Sequence, residues 1–363
     1  MNKLAYAVFA ALCLNACSAL GDKEPDENAE ADPLLSEQTL AYETVAESFL
    51  TPLTPDDNID SPASWTAPDG SIWLIATAKA TDKLVVYDGD SGVTRMATGG
   101  HGAKPGEFRR PNGIFVADDL VFVVERDNRR VQVLALPGLR PLGHFGDAQL
   151  QAPYGLWVDK TGQGYEVLVS DAYMDGEAVP PPARLDRRFK RYHVITDGGF
   201  RAEHLGDFGD TGADGAIRIP ESIWGDADRD VLLLSEEDQP AGTQLKVYGG
   251  DYRYAGKTIG QGLFKAQAEG IALWQCPDGS GYWIATDQFK DRSLFHVFDR
   301  RDFSHKGAFA GNTTANTDGV WLNQGATRQF PDGVFYAVHD DQGVAAFDWR
   351  AIAAALDLRV RCE

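Results

Sequence analysis

The sequence predicts an all-β chain folded as a six-bladed β-propeller with a short C-terminal helix. Three observations carry that expectation: strand-type patterning almost throughout, a short motif repeated six times, and spacing close to the length of one blade. The motif is a lead residue, a variable residue, Gly or Ser, then an apolar run. Its copies are Pro62-Ala63-Ser64-Trp65, Pro111-Asn112-Gly113-Ile114, Pro153-Tyr154-Gly155-Leu156, Pro220-Glu221-Ser222-Ile223, Ala268-Glu269-Gly270-Ile271 and Thr317-Asp318-Gly319-Val320. The variable positions lie 49, 42, 67, 48 and 49 residues apart. A second strand is predicted after each copy, at Ile72–Thr77, Val121–Val124, Val167–Ser170, Leu232–Ser235, Tyr282–Thr286 and Phe335–Val338. Third strands follow at Leu84–Tyr87, Val131–Leu134, Leu245–Tyr248 and Leu294–Phe298. A helical period appears only at Trp349–Leu356. The residues near 40–49, read from Leu40 to Val45, offer a strand to close the ring.

The domain organisation expected is a signal at residues 1–16, a tether at 17–38 and the propeller at 39–363. Lys3 supplies a positive start and Ala5 to Leu14 an apolar run too short to span a bilayer. Leu14-Asn15-Ala16-Cys17 resembles the bacterial lipoprotein box, which implies a lipidated Cys17. Ser18 in place of Asp implies, by the same resemblance, the outer membrane of a Gram-negative bacterium. The following residues are rich in Glu, Asp, Ala and Pro and read as a flexible tether. The body is expected to be a monomer that meets the membrane through its lipid alone. Cys276 and Cys362 are then left, and an exported protein can pair them, although sequence leaves that pairing open.

Composition excludes one class. With 34 Lys+Arg against 54 Asp+Glu the chain carries a formal charge of -20, and no basic cluster offers nucleic acid a surface. Asp226 to Glu237 imitates an EF-hand loop, but Val231 stands where the sharp turn needs Gly, so a hairpin turn is expected. No zinc spacing and no GxSxG elbow occur.

Propeller geometry turns the repeat into a site. The innermost strand starts at one mouth of the channel and its antiparallel neighbour returns there. The variable positions Ala63, Asn112, Tyr154, Glu221, Glu269 and Asp318 should therefore ring that mouth. With them come the second-strand ends near Lys79, Arg126, Asp171, Glu237, Gln288 and His339-Asp340. Blades one and two bring cations; blades four to six bring carboxylates. Crowded carboxylates repel unless a cation joins them, and such hard oxygen donors suit Ca²⁺. The opposite cations and Tyr154 suit an anion such as phosphate.

The same residues carry a resemblance. From about Asp57 to Leu356 the chain resembles a divergent β-propeller phytase, a calcium-dependent phosphatase. The matching stretches are residues 57–65, Tyr154-Gly155-Leu156, Ser235-Glu236-Glu237-Asp238, Ala268-Glu269-Gly270-Ile271, residues 284–288, residues 316–320, residues 333–340 and residues 347–353. The resemblance implies calcium ligation by Glu221, Glu237, Glu269, Gln288, Asp318 and Asp60. The four acids Glu221, Glu237, Glu269 and Asp318 would carry the catalytic role. It implies phosphate contacts from Lys79, Arg126 and Tyr154, and a phosphoric monoester hydrolase acting on inositol phosphates such as phytate. The family's pattern is broken at Ser61, Gln267 and Asn312, where acids are expected. A blade-three lysine is also missing, with Arg188 or Lys190 as substitutes. Residues 99–133 resemble an NHL repeat, and that resemblance implies a rival: a non-catalytic propeller binding a ligand or protein at the cell surface. A calcium-using sugar or lactone hydrolase is a third class, which the phytase-like register disfavours.

Overall fold

In the computed structural model residues 33–362 are described; the signal at 1–16, Cys17 and the tether up to residue 32 lie outside them. Five four-stranded antiparallel units are built from consecutive strands. Blade one comprises Ile59–Thr66, Ile72–Ala78, Lys83–Asp88 and Thr94–Gly99; blade two Pro111–Ala117, Leu120–Glu125, Arg130–Ala135 and Arg140–Phe145. Blade three comprises Pro153–Thr161, Gly164–Asp171, Phe189–Ile195 and Arg201–Phe208; blade four Pro220–Asp226, Val231–Glu236, Gln244–Gly249 and Tyr254–Ile259. Blade five comprises Ala268–Gln275, Gly281–Asp287, Leu294–Asp299 and His305–Ala310. Blade six takes only three strands from its own stretch, Val320–Asn323, Val334–His339 and Gly343–Asp348. The longer spacing between Tyr154 and Glu221 holds the loop 172–188 between the second and third strands of blade three.

The missing outer strand of blade six is Phe49–Leu50, antiparallel to Gly343–Asp348 with Phe49 opposite Ala346. This pairing closes the ring. Residues 40–45 do something else: Glu43–Thr44 pairs parallel with the outer strand of blade five, Glu43 opposite Phe309. Further back, Leu35 is buried, and Asp291 accepts from the backbone N–H of Leu35 at 2.6 Å and of Ser36 at 3.1 Å. The last residues assigned to the tether are thus held against blade five.

Between these pairings Glu47 anchors the loop that leads to Asp318. Its Oε1 accepts from the backbone N–H of Thr313 at 2.9 Å and of Thr314 at 2.8 Å, and from the Thr314 hydroxyl at 2.7 Å. Burial raises the Glu47 pKa, but these donors outweigh it and bring it from 4.5 down to about 2. A depressed folded value means stability that is present above pH 4.5 and lost as pH falls from there towards 2. We expect Glu47→Gln to flatten the acid limb of the stability–pH curve in that window. Parallel curves for the two proteins in urea titrations would refute the assignment.

Trp349–Ala355 forms the one α-helix among the described residues. Asp348 caps it, accepting from Arg350 N–H at 2.9 Å, and Trp349 stacks on Trp274 with ring centroids 5.3 Å apart. Beyond the helix Cys276 and Cys362 are joined in a disulfide, Cα atoms 5.3 Å apart. The EF-hand imitation is a hairpin. Its Asp226 is fully buried against Arg300 of blade five, which donates to the carboxylate at 2.7 Å from both Nε and Nη2. No helix among the described residues is long and apolar enough to cross a membrane.

Candidate active site at the channel mouth

The repeated motif is a β-bulge. Pairing between the first two strands skips two residues in each of the first five blades, between Pro111 and Ile114, Pro153 and Leu156, Pro220 and Ile223, and Ala268 and Ile271. In blade one the skip falls between Ile59 and Pro62. The ring residue there is therefore Asp60, and Ala63 lies further down the strand, which corrects the register read from Pro62-Ala63-Ser64. Bulges re-aim side chains, and here each one points a variable residue at the axis.

The motif's Gly has a steric reason. A Cβ on Gly113 would lie 2.6 Å from the Tyr154 carbonyl oxygen, one on Gly155 2.5 Å from that of Glu221, and one on Gly270 2.7 Å from that of Asp318. The freed backbone groups are bonded from blade to blade: Gly319 N–H to the Asp60 carbonyl at 3.0 Å, and Gly270 N–H to the Asp318 carbonyl at 2.9 Å. Hydroxyls serve elsewhere, as Thr77 donates to the Asn112 carbonyl at 2.6 Å and Ser170 to that of Glu221 at 3.0 Å. Each blade thus sets the height of the next one's ring residue.

The second strands end in a further rule. Glu125, Asp171, Glu236 and Asp287 are almost wholly buried, and the last three each accept from a pair of backbone amides before their blade's motif. Glu236 accepts from Arg218 and Ile219, Asp171 from Gln151 and Ala152, and Asp287 from Lys265 and Ala266. Asp171 is thus structural, and the mouth position of blade three is Ala172, whose N–H bonds the Ala152 carbonyl as Glu237 N–H bonds that of Ile219. The other mouth positions in this register are Lys79, Arg126, Glu237, Gln288 and Asp340. Asp340 itself is exposed. Asp340 and Asp341 both adopt positive φ, 50° and 56°, and the tight turn brings Asp341 in beside Asp318. Sequence reasoning missed Asp341; the Asp340-Asp341-Gln342-Gly343 turn is the signal that would have found it.

Around the axis the acids and cations meet as follows. Lys79 Nζ lies 2.8 Å from Asp60 Oδ1, 3.8 Å from Asp318 Oδ2, and donates to the Tyr154 hydroxyl at 3.4 Å. Ser61 donates to Asp60 Oδ2 at 2.8 Å, and Gln288 Nε2 donates to Asp318 Oδ1. Gln267 Nε2 donates to Glu237 Oε1 at 2.9 Å. Burial first, then the charges of Glu269, Glu237, Asp60 and Asp318, push the Glu221 pKa well above the carboxylate range. Burial also raises Asp318, opposed by Lys79 and reinforced by Asp341, Asp60 and Glu269. The two proposed substitutes for a blade-three lysine do not reach the mouth. Arg188 is fully buried and donates to the carbonyls of Asp171, Tyr173 and Arg218; Lys190 is held by the Arg187 carbonyl at 2.7 Å and by Asp207 at 3.4 Å.

The NHL-like stretch also has a structural use. Glu125 accepts from Arg130 Nε at 2.7 Å, from Gln132 at 3.0 Å and from Asn128, while Arg130 and Gln132 bond the carbonyls of Ala103 and Glu107. Below the ring, Phe115, Trp224 and Trp321 meet across the channel from blades two, four and six, with centroids 5.0 to 5.5 Å apart. They floor it about 10 Å below the ring residues, three strand residues further on.

Among the described residues no three Asp, Glu, His or Cys side chains converge closely enough to hold a metal ion as they stand. The donor chemistry nevertheless fits a hard cation, because Glu221 is buried among carboxylates that a divalent ion would neutralise.

Fold and mouth together define a six-bladed propeller with an acidic, one-sided site. Residues 219–356 match the family model described as Phytase, which is the β-propeller phytase family already suggested by the sequence motifs. The matched stretch runs from Ile219, beside Glu221, through blades four to six and the C-terminal helix. No curated protein matches the chain. Solved structures of similar shape include regucalcin, a calcium-binding protein of Agrobacterium tumefaciens, at 11% identity and TM-score 0.48, covering 85% of this chain and 95% of that one. A chain of a nidogen–laminin complex is 14% identical with TM-score 0.44, covering 70% and 81%. One of Kuenenia stuttgartiensis hydrazine synthase is 11% identical with TM-score 0.43, covering 84% and 77%.

Proposed function

We propose that the protein is a lipid-anchored, calcium-dependent phosphomonoesterase acting on inositol phosphates such as phytate. The observation that carries this reading is the division of one channel mouth: Glu221, Glu237, Glu269, Asp318 and Asp60 on the ring and its rim, faced by Lys79, Arg126 and Tyr154. The oxygen donors that the resemblance offers calcium are those five acids and Gln288, of which Asp60 and Asp318 already face the Lys79 ammonium. Bound there, calcium supplies neutralisation of phosphate oxygens and a lowered pKa for attacking water. Lys79 and Tyr154, already 3.4 Å apart, orient the phosphoryl group, and Arg126 adds charge from blade two. Lys79 and Arg126 follow directly on second strands and Tyr154 sits at a first-strand bulge, so all three would meet a substrate from rigid mounts. The anchor would be Cys17, with the outer membrane as its site.

Phosphate release from phytate should proceed in millimolar calcium and stop in EGTA. Equal release in both conditions, or none towards phytate and simpler monoesters in saturating calcium, overturns the reading.

A further inference from the structure

Resting on the calcium reading above, we infer that Lys79 is the resident cation of the Asp60–Asp318 pair, so that a divalent ion enters only the Glu221–Glu237–Glu269 side of the mouth. Lys79 is nearly buried, and its ammonium lies between the two acids, 2.8 Å from one and 3.8 Å from the other. The pair is locked from its outer edges as well. Asp60, 1% exposed, takes a second donor from Ser61, and Asp318 takes one from Gln288. Displacing Lys79 would strip a buried carboxylate of a tethered counter-charge, which is costly for a pair this enclosed.

The two sides differ in what acts on them. On the Asp60–Asp318 side stands an ammonium, with the Ser61 hydroxyl and the Gln288 amide donating to the same two carboxylates. On the other side Glu237 accepts from the neutral amide of Gln267 at 2.9 Å. Ser61, standing where the phytase pattern has a second acid, completes the arrangement: with one carboxylate fewer, a single ammonium balances half of the pair's charge, and the need for an ion there falls.

Calcium titration calorimetry on the whole chain tests this. Lys79→Met should bind one calcium ion more per chain than the wild type, and adding Asp60→Asn to it should abolish that gain. Equal stoichiometry in wild type and Lys79→Met overturns the inference. Should Lys79→Met fail to fold, acetylation of wild-type Lys79, read by mass spectrometry, decides instead: protection that persists in saturating calcium supports a resident cation, and exposure on calcium addition overturns it. The failure of the parent reading looks different. If wild type binds no calcium at all, the phosphomonoesterase proposal falls, while the gain or its absence in Lys79→Met still judges the lysine.

Discussion

Glu221→Gln is expected to lower calcium-dependent phosphate release from phytate by about two to three orders of magnitude, the range seen when one group that stabilises transition-state charge is removed. The substitution keeps the size of the side chain and the Ser170 hydroxyl's bond to the Glu221 carbonyl. Fold and mouth shape should therefore survive, and unchanged thermal unfolding is the control. A second readout comes from protonation. Burial and the neighbouring acids hold the Glu221 pKa well above its ordinary value, so the metal-free carboxyl keeps its proton to higher pH. Calcium must expel that proton, so its affinity should rise with pH and its binding should release protons. Titrations in buffers of different ionisation heat measure the release directly, and Glu221→Gln should lose it. Full activity in the variant, or proton uptake on calcium binding by the wild type, would count against the site.

The largest effect on stability is expected at Arg300, far from the mouth. Its guanidinium and the Asp226 carboxylate are both 0% exposed, and they tie the blade-four hairpin to blade five through two 2.7 Å bonds. Arg300→Met leaves Asp226 buried without that partner and should destabilise the protein by about 3–5 kcal/mol, the range for breaking one side of a buried pair. Replacing both, as in Asp226→Leu with Arg300→Met, should recover most of the loss, because burial of two apolar groups carries no unpaired charge. The urea midpoints of the three proteins decide. A single variant as stable as the wild type would show that solvent reaches Asp226.

Much of this architecture was legible because the bulge leaves a chemical trace. Where one blade's backbone passes within 3 Å of the next, only Gly or a small residue fits, and that constraint repeats through the chain as a readable mark at Gly113, Gly155, Gly270 and Gly319. Blade one escaped the reading for a local reason. Its lead position is Ile59 and a proline fills the apolar place after the bulge, so Pro62-Ala63-Ser64 imitated the motif three residues late. The acids of blades four to six were legible because their motifs are regular. Asp171 was misplaced by one residue because two consecutive positions in a second strand's end have opposite fates, one buried to hold backbone amides and the next facing the axis. Asp341 was invisible to strand periodicity, since a turn with two left-handed residues places it. The closing strand Phe49–Leu50 is too short for any pattern; its pairing partner lies some 300 residues away in the chain, and only the ring itself demands it.

The three aromatic rings beneath the mouth decide how a ligand can come and go. Phe115, Trp224 and Trp321 meet at the axis and make the channel a blind socket. Whatever enters must leave by the same opening, and on the phosphomonoesterase reading the released alcohol would have to clear the mouth before the phosphate beneath it. A threaded polymer is ruled out for the same reason. On the same reading the ester would be held by its phosphoryl group at the ring, with the rest of the molecule towards water. Selectivity would then fall on the phosphoryl group and its immediate neighbours, and the body of the alcohol would go largely unread.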